Sequence, residues 1–485
     1  MTGDRGPGTG DRTRYVSPLN TRYASLPMQE LFGDQNRIGL WRRLWVALAE
    51  AEREVGIAIP EAAIAEMKQS VDTIDFDKAA AFEGRFRHDV MAHVHTFGEQ
   101  APAARPFIHL GATSAYVTDN ADLILLRDAL KLVRARLGGV LRALASFAER
   151  YRALPTLAYT HLQPAQLTTV GKRATLWMQD FAFDVAEIEH RLDTLTFLGA
   201  KGTTGTQASF LDLLARDHAK VRRLDQLVAV KMGFQRVVAV SGQTYPRKID
   251  AQIVAVLAQV AQSAAKMAAD LRILQHLGEV LEPFGSEQIG SSAMAYKRNP
   301  MRAERIASLA RYVMHLPANT DETAAQQWFE RTLDDSANRR IVLPEAFLAV
   351  DAILVLAENI ASGLEVREPV VRRHVMKELP FMATERCLML GVQAGGDRQA
   401  LHEVIRRHSL DVARAVAEDG AENDLIARLA ADPAFAGTRV AEVGRDLDPL
   451  HYVGRSPEQV DEFLHDIVAP ILSRLPDAPS AEDRV

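Results

Sequence analysis

Four polar segments of the chain carry residue types that could perform acid–base chemistry or bind an anion. The first is Arg87-His88-Asp89, the second is Gly111-Ala112-Thr113-Ser114, the third runs from Thr160 to Gln166, and the fourth runs from Gln288 to Pro300. These segments are rich in imidazoles, hydroxyls, amides and cations. They show no apolar periodicity, so they do not suit a buried core. We therefore predict that these segments line a functional site.

His161, in the third segment, is the best candidate for a general acid or base. Its neighbours Thr160, Gln163 and Gln166 could orient the imidazole, and Pro164 is expected to end the loop where a long helix starts. An oriented histidine that titrates near neutrality is the commonest group of this kind. From the spacing alone, His161 fits a catalytic role and a solvated surface position equally well.

A metal site is the alternative interpretation of the other histidines. His88, His93 and His95 lack the i, i+4 spacing of a helical zinc pair, and the single cysteine, Cys387, cannot supply a thiolate cluster. We expect no metal. We also expect His93, His95 and His109 to be packed in the core or solvated, and Cys387 to be a small buried residue.

Two glycine-containing stretches suggest anion contacts. Residues 199–205 superficially resemble a dinucleotide loop, but they follow a predicted helix rather than a strand, which argues against a Rossmann fold. A tight turn that contacts a phosphate or carboxylate fits better. Residues 290–300 combine small residues and two hydroxyls with Lys297 and Asn299. They predict a mobile lid around a carboxylate, with a solvated surface loop as the alternative.

Helical periodicity dominates the rest of the chain. From Pro246 to Val280 the apolar residues are spaced by threes and fours, which predicts a helix of about 35 residues and roughly 50 Å. Residues 117–152, 165–198 and 336–362 carry similar patterns, whereas strand patterns are almost absent. Helices of this length require a bundle, and we expect it to be shared between subunits.

The sequence thus predicts an all-α protein of three helical domains, whose long central bundle assembles into a tetrameric core. Residues 1–14 are expected to be a disordered tail. The N-terminal helical domain is placed at 15–112, the central bundle with the loop 288–300 at 113–365, and the C-terminal helical domain at 366–485.

Composition excludes several classes of protein. The 485 residues carry a formal net charge of -6, which argues against a general nucleic-acid binder. No stretch supplies the roughly 20 lipid-compatible residues of a membrane span. One cysteine and a charged, glycine-rich start that is unlike a secretory signal favour a reducing cytoplasm.

The fourth segment resembles a known family signature. Gly290-Ser291-Ser292-x-Met294-x-x-Lys297-x-Asn299-Pro300 is similar to the loop of the fumarase, aspartase and argininosuccinate lyase superfamily. Residues 87–93, 161–173, 201–210 and 327–340 further resemble adenylosuccinate lyases, and more their animal-type branch than the shorter bacterial type. The resemblance runs from about Tyr15 to about Leu472.

The resemblance implies β-elimination of fumarate from adenylosuccinate and from succinylaminoimidazole carboxamide ribotide. It makes Ser291 the base and His161 the acid, with Lys297, Asn299 and loop amides stabilising the developing charge. His88 would support the site electrostatically, and Glu304 would orient His161 or its surroundings. The positions it implies for substrate binding are Arg22, Tyr23, Arg87, Asp89, Thr113, Ser114, Gln243, Asn299, Arg305, Arg331, Ser336 and Arg340.

Among these positions, Thr113, Ser114 and Gln243 would hold the succinyl carboxylates. Ser336 and Arg340 lie one turn apart, and a helix starting near Ser336 would add its N-terminal amides to a phosphate site. The resemblance implies no cofactor and no metal. It does imply a homotetramer in which three subunits assemble each active site.

One departure and two alternatives stay open. The family loop usually reads Met-Pro where this chain reads Met294-Ala295. Another lyase or cycloisomerase of the superfamily, acting on argininosuccinate or a carboxymuconate, would have no use for the cations near Arg340. A catalytically silent relative, as in lens crystallins, is disfavoured by the presence of Ser291, His161 and Lys297.

Overall fold

The fold is that of a computed structural model in which residues 13–480 are described. The predicted disordered tail therefore lies almost wholly outside the described residues. The chain is 67% helical with 4% strand, which confirms the all-α prediction. Among the described residues, no helix combines the length and apolar character needed to cross a membrane.

Twenty α-helices and four short strands follow one another along residues 13–480. The helices are α1 Leu26–Phe32, α2 Asp34–Glu54, α3 Glu61–Gln69, α4 Phe76–Phe86, α5 Asp89–Gln100, α6 Ser114–Arg150, α7 Val170–Thr194, α8 Ala208–Leu213, α9 His218–Lys231, α10 Lys248–His276, α11 Met301–Met314, α12 Leu316–Ala325, α13 Asp334–Gly363, α14 Glu368–Met382, α15 Thr384–Gln393, α16 Arg398–Asp419, α17 Leu425–Ala431, α18 Val440–Arg445, α19 Ser456–Phe463 and α20 Ala469–Leu472. The strands are β1 Pro155–Thr160, β2 Gln163–Thr169, β3 Val280–Leu281 and β4 Glu365–Val366.

The long helices α6, α7, α10 and α13 pack with α11 into one bundle with a continuous apolar core. The α10 helix has 29 residues, so it is shorter than predicted. It ends before Gly278, whose φ of +71° is a left-handed conformation that glycine adopts without strain. The polar segments lie at the ends of helices, between α4 and α5, before α6, before α7 and between α10 and α11.

Besides a small apolar cluster around Leu157 and Leu167, two larger ones flank the bundle among the described residues. One joins α2 and α5 to the first half of α6 and to α9, and its largest buried side chains include Trp45 and Phe97. The other lies in the C-terminal part and includes Cys387 and Phe435. The first cluster contains residues on both sides of position 113, and the division into three domains stays a prediction.

The segment around His161 differs from the prediction. β1 and β2 form an antiparallel hairpin in which Thr160 pairs with Gln163. His161 and Leu162 form its two-residue turn with φ values of +52° and +57°, as a tight type I′ hairpin turn requires. The predicted helix at 165–198 was therefore wrong in its first turn. α7 instead begins after Thr169, whose hydroxyl accepts a hydrogen bond from the Lys172 amide at 3.2 Å.

Candidate active site

One pocket of about 770 Å³ lies where α2, α6 and α13 meet the segments before α5 and α10. A volume of this size is typical of a small-molecule site. Thr113 is the N-cap of α6, immediately beside the wall of the pocket. The predicted site residues that line the pocket are Arg87, His88, Asp89, Ser114, Gln243, Arg331, Ser336 and Arg340.

His88 is held at the N-terminus of α5. Its Nδ1 accepts a hydrogen bond from the Met91 amide at 3.3 Å, and its Nε2 lies 3.3 Å from the hydroxyl of Ser114. Since Nδ1 is the acceptor, the ring proton is on Nε2 and points toward Ser114. Arg87 has φ +55° and ends α4, so a sharp turn brings His88 to the mouth of the pocket. His88 thus meets the polar segment at the start of α6.

A cationic rim is built from Arg87 and Arg340. Arg340 donates to Asp89 at 2.8 Å, while Arg87 forms no ion pair with any residue that the structure describes. Burial disfavours the Asp89 carboxylate, but the hydrogen bonds from Arg340 and from the Val90 amide outweigh it and lower the pKa of Asp89. Asp89 is therefore ionised at neutral pH and holds Arg340 at the pocket.

Ser336 and Arg340 lie on the same face of α13, as predicted. The helix begins at Asp334, two residues before Ser336. The Ser336 amide donates to the Leu333 carbonyl at 3.1 Å, so this amide is already bonded. The Ser336 amide is therefore not available to an anion, whereas its hydroxyl is, and the expectation that N-terminal amides of this helix bind a phosphate stays a prediction.

A buried ionic network forms the floor of the pocket, and sequence reasoning missed its central residue. Arg247 donates to Asp119 at 2.7 Å and to Asp335 at 2.6 Å, and Arg331 reaches Asp335 at 2.7 Å. Burial raises the pKa of Asp335, but the two arginines more than offset it and lower the pKa. Arg331 is thus fixed at the pocket by the same carboxylate that Arg247 binds.

The network continues through Arg339, which the sequence had not singled out. Arg339 donates to Asp250 at 2.7 Å, to Asp122 at 2.8 Å and to the hydroxyl of Tyr245. Tyr245 in turn donates to Asp250 at 2.6 Å. Burial raises the pKa of Asp122. Burial alone would lower the pKa of Arg339, but the surrounding carboxylates outweigh this effect and raise it. These contacts tie α6, α10 and α13 together directly below the pocket.

The signature loop lies outside this pocket. Ser291 Oγ accepts hydrogen bonds from the amides of Ala293 at 3.3 Å and Met294 at 3.1 Å. Asn299 donates to the Gly290 carbonyl at 2.7 Å, which closes the loop on itself. A Cβ at Gly290 would lie 2.1 Å from the Lys297 carbonyl, so only glycine fits there. Asn299 therefore acts first as a brace of the loop, and the side chain of Lys297 is exposed.

The base of the loop is anchored by Glu282, another residue that sequence reasoning missed. Its buried carboxylate accepts from the amides of Arg302 and Ala303, each at 3.0 Å, and so caps α11. Arg298 pairs with Glu365 through two contacts of 2.9 Å. Glu304 lies in the first turn of α11, close to the loop but not in the pocket.

Three predicted substrate-binding residues contact one another and do not line the pocket. The Arg305 guanidinium lies 5.8 Å from the ring centre of Tyr23, and that of Arg22 lies 6.0 Å from it. Arg22 and Tyr23 belong to the short helical turn Leu19–Tyr23 before α1. The structure therefore places Arg22 and Tyr23 beside Arg305 and does not join them to the cationic rim.

His161 lies at the exposed tip of the hairpin. In the part of the chain that the structure describes, neither a hydrogen bond nor a ring contact joins His161 to Ser291, to Glu304 or to the pocket. One chain thus presents four separate pieces: the pocket, the signature loop with α11, the Tyr23 cluster and the hairpin tip.

His93, His109 and Cys387 are packed inside the fold, as expected, and His95 is half-buried against Phe82 and Phe86. Burial lowers the pKa of His93 to about 4, and its ring packs edge-on against Trp41. Burial also lowers the pKa of His109 to about 4, and its Nδ1 accepts from Trp45 at 3.0 Å. Burial raises the pKa of the Cys387 thiol to about 11. Residues 13–480 contain no cluster of three or more histidine, cysteine or acidic side chains that could hold a metal ion.

Comparison with known proteins identifies the family. A lyase family model matches residues 44–315, and a model for the adenylosuccinate lyase C-terminus matches residues 380–463. The adenylosuccinate lyase of Schizosaccharomyces pombe is 50% identical over 96% of each chain. That of Saccharomyces cerevisiae is 51% identical over 94% of this chain and 95% of its own. This chain belongs to the adenylosuccinate lyase family.

Solved structures support the same placement of this adenylosuccinate lyase family member. A fumarate lyase from Mesorhizobium sp. BNC1 superimposes with a TM-score of 0.78 at 26% identity, over 95% of this chain and 100% of that one. A 3-carboxy-cis,cis-muconate lactonizing enzyme from Pseudomonas putida gives a TM-score of 0.79 at 26% identity, over 93% and 98%. The family membership makes the chain a lyase, and the resemblance of its motifs is confirmed.

Proposed function

We propose that this adenylosuccinate lyase cleaves adenylosuccinate to AMP and fumarate, and succinylaminoimidazole carboxamide ribotide to AICAR and fumarate. The assignment of residues rests on the pocket, whose lining includes an arginine pair and the hydrogen-bonded pair of His88 and Ser114. The arginines Arg331 and Arg340, with the Ser336 hydroxyl, suit a nucleotide phosphate. Ser114 and Gln243, which also line the pocket, suit the succinyl carboxylates.

The reaction is a β-elimination. The C–H bond next to a succinyl carboxylate breaks and its proton passes to Ser291, while the C–N bond breaks and a C=C bond forms. His161 supplies the proton that the departing nitrogen needs. Negative charge collects on the carboxylate in the transition state, and Lys297 with loop amides would stabilise it. His88 would support this charge from the pocket.

The loop geometry supports a serine base. A free serine hydroxyl is a weak proton acceptor at neutral pH, so it needs groups that stabilise its alkoxide. The amides of Ala293 and Met294 already donate to Ser291 Oγ. Hydrogen bonds to a charged form favour that form. The exposed Lys297 ammonium would add a positive charge when the loop closes over the substrate.

We also propose that the enzyme is a homotetramer whose subunits share each active site. The pocket, Ser291 and His161 are separate on one chain, so other subunits would bring the acid and the base to the pocket. Large exposed apolar side chains accompany these pieces: Leu162 is 71% exposed, Ile289 77%, Tyr296 83% and Phe329 99%. Surfaces of this kind are typical of an interface. The single buried cysteine agrees with a cytoplasmic enzyme.

Ultraviolet assays of the purified enzyme test the substrate assignment. Adenylosuccinate and succinylaminoimidazole carboxamide ribotide should each release fumarate, while argininosuccinate should be inert because it has no phosphate for the arginine pair. The matched control is Arg340→Met, which should raise KM for both nucleotides. Cleavage of argininosuccinate at comparable kcat/KM would reject the assignment.

Mixing of inactive subunits tests the shared site. In a random one-to-one mixture of His161→Ala and Ser291→Ala subunits, about one quarter of the sites receive both intact residues if these come from different subunits. Activity should therefore return to about one quarter of the parent value. If subunit exchange is demonstrated by mass and no activity returns, the two residues act on one subunit.

A further inference from the structure

The turn at residues 199–207 has no task in the proposed reaction, yet a buried ion pair and several hydrogen bonds hold it to two helices. We propose that Asp225, on α9, is a positioning residue that fixes the amide of Gln243 through this turn. The inference rests on the proposed function, in which Gln243 binds a succinyl carboxylate. It concerns how that contact is made, so it can fail while the proposed function stands.

Asp225 binds the turn through both carboxylate oxygens. Oδ1 accepts a hydrogen bond from the backbone amide of Ala200 at 2.6 Å. Oδ2 accepts from the Lys201 ammonium at 2.5 Å and from the side-chain amide of Gln207 at 3.1 Å. The side chains of Asp225 and Lys201 are only 6% and 7% exposed. The ion pair is therefore shielded from water, and Lys201 is not available to a substrate phosphate, contrary to one interpretation of this turn.

A second clamp holds the start of the turn. Asn120 donates to the Gly199 carbonyl at 3.0 Å and accepts from its amide at 3.0 Å. Gly199 has φ +84°, and a Cβ there would lie 2.5 Å from Asp225 Oδ1. Asn120 follows Asp119 on α6, so the clamp is continuous with the network below the pocket. The turn is thus fixed to two helices, α6 and α9.

The opposite side of the turn fixes Gln243. The Thr203 carbonyl accepts from Gln243 Nε2 at 3.0 Å, which determines which end of the amide is the nitrogen. One hydrogen of Nε2 is used by Thr203, and the other is available to a carboxylate in the pocket. A Cβ at Gly205 would lie 1.9 Å from the Ser241 carbonyl, so the turn and the segment before Gln243 touch backbone to backbone. A shift of the turn must therefore move Gln243.

The test is a kinetic comparison of turn variants with adenylosuccinate as substrate. Asp225→Asn combined with Lys201→Met removes the ion pair without leaving a buried charge unpaired. Gln207→Met loosens the same clamp without touching either charge, in case the first variant does not fold. We expect KM to rise about tenfold in each, as for a weakened hydrogen bond to a charged group, with kcat changed less than about threefold.

The decisive measurement repeats these substitutions in a Gln243→Ala background. If Asp225 acts through Gln243, they should add less than about twofold to KM there, because the group they position is absent. The matched control is Asp217→Ala, which removes the N-cap of the same helix, where Asp217 accepts from the Ala219 and Lys220 amides. It should leave KM and kcat near the parent values.

The outcomes separate the two proposals. An unchanged KM in the folded turn variants, or the same tenfold rise in the Gln243→Ala background, overturns the role of Asp225 while Gln243 keeps its own. A Gln243→Ala enzyme with normal KM overturns the assignment of Gln243 to the substrate, and the positioning role falls with it. A KM rise in the Asp217→Ala control of the same size would show a general effect of α9 stability and would also overturn the inference.

Discussion

Arg247→Met is the most informative single change to the network below the pocket. The Arg247 side chain is 1% exposed, and its partners Asp119 and Asp335 are 3% and 0% exposed. Methionine fills a similar volume but carries no charge. Asp335 would keep Arg331 at 2.7 Å, whereas Asp119 would lose its only ion-pair partner in the described chain. The variant therefore leaves one buried carboxylate without a compensating cation.

The expected cost is about 3–5 kcal/mol of the free energy of unfolding, the range for removing one partner of a buried pair. The pH dependence follows from Asp335, whose pKa is lowered in the folded state despite burial, because Arg247 and Arg331 stabilise the charged form. Its contribution is present above its unfolded pKa of about 3.9 and is lost as the pH falls through the folded pKa. The deficit of the variant should therefore be largest at pH 7 and shrink below about pH 4.

Denaturant unfolding followed by tryptophan fluorescence measures this deficit, at one fixed protein concentration because assembly contributes to stability. Lys266→Met is the matched control, since Lys266 pairs with Asp180 at 2.6 Å on the half-exposed surface. That substitution should cost less than about 1 kcal/mol. Adding Asp119→Asn to Arg247→Met should restore part of the loss. A deficit no larger than that of the control, or no recovery with Asp119→Asn, would refute the reasoning.

Two further predictions concern the reaction itself. His161→Ala and Ser291→Ala should each lower kcat by ~10²–10⁴-fold with an unchanged circular dichroism spectrum, and a near-normal kcat would remove that residue from its role. Ala295 is the second residue of a turn closed by the Lys297 amide and the Met294 carbonyl at 3.0 Å, a position that favours proline. Ala295→Pro should raise kcat/KM about two- to fivefold by limiting open-loop conformations, whereas Ala293→Pro, which removes a donor to Ser291, should lower it. A fall in kcat/KM for Ala295→Pro would show that closure does not limit the rate.

The long helices could be predicted because each buries a stripe of apolar residues, and that stripe repeats in the sequence with the helical period. The predicted helix at 336–362 agrees with α13 to within two residues. The hairpin could not be found in this way. Residues 160–166 are exposed, and apart from Leu157 and Leu167 its strands offer little apolar alternation. Its turn uses histidine and leucine at positive φ, where Asn-Gly is the usual signal.

The residues of the pocket were predictable from motifs, but those that hold the pocket were not. Arg247, Asp250 and Arg339 lie at or near the starts of long helices, where a charged side chain is more often on the solvated face. Only the tertiary structure shows that these charges face one another in the interior. Asp225 is a similar case, because its partner Lys201 is in a turn that resembled an anion-binding loop. Pairing over such sequence distances leaves no local pattern.

The proposed binding residues and the proposed acid and base are held in the structure in different ways. Asp335 holds Arg331 and the clamped turn holds Gln243, so under the proposed function both would bind substrate without reorganisation. Within residues 13–480, Ser291 Oγ is bonded by amides of its own loop, and His161 lies at an exposed hairpin tip. Under the proposed function, the binding groups form a permanent pocket, while the acid and base arrive when subunits assemble and the loop closes. Water would then be excluded only once the substrate is bound, when the charge-stabilising groups act most strongly.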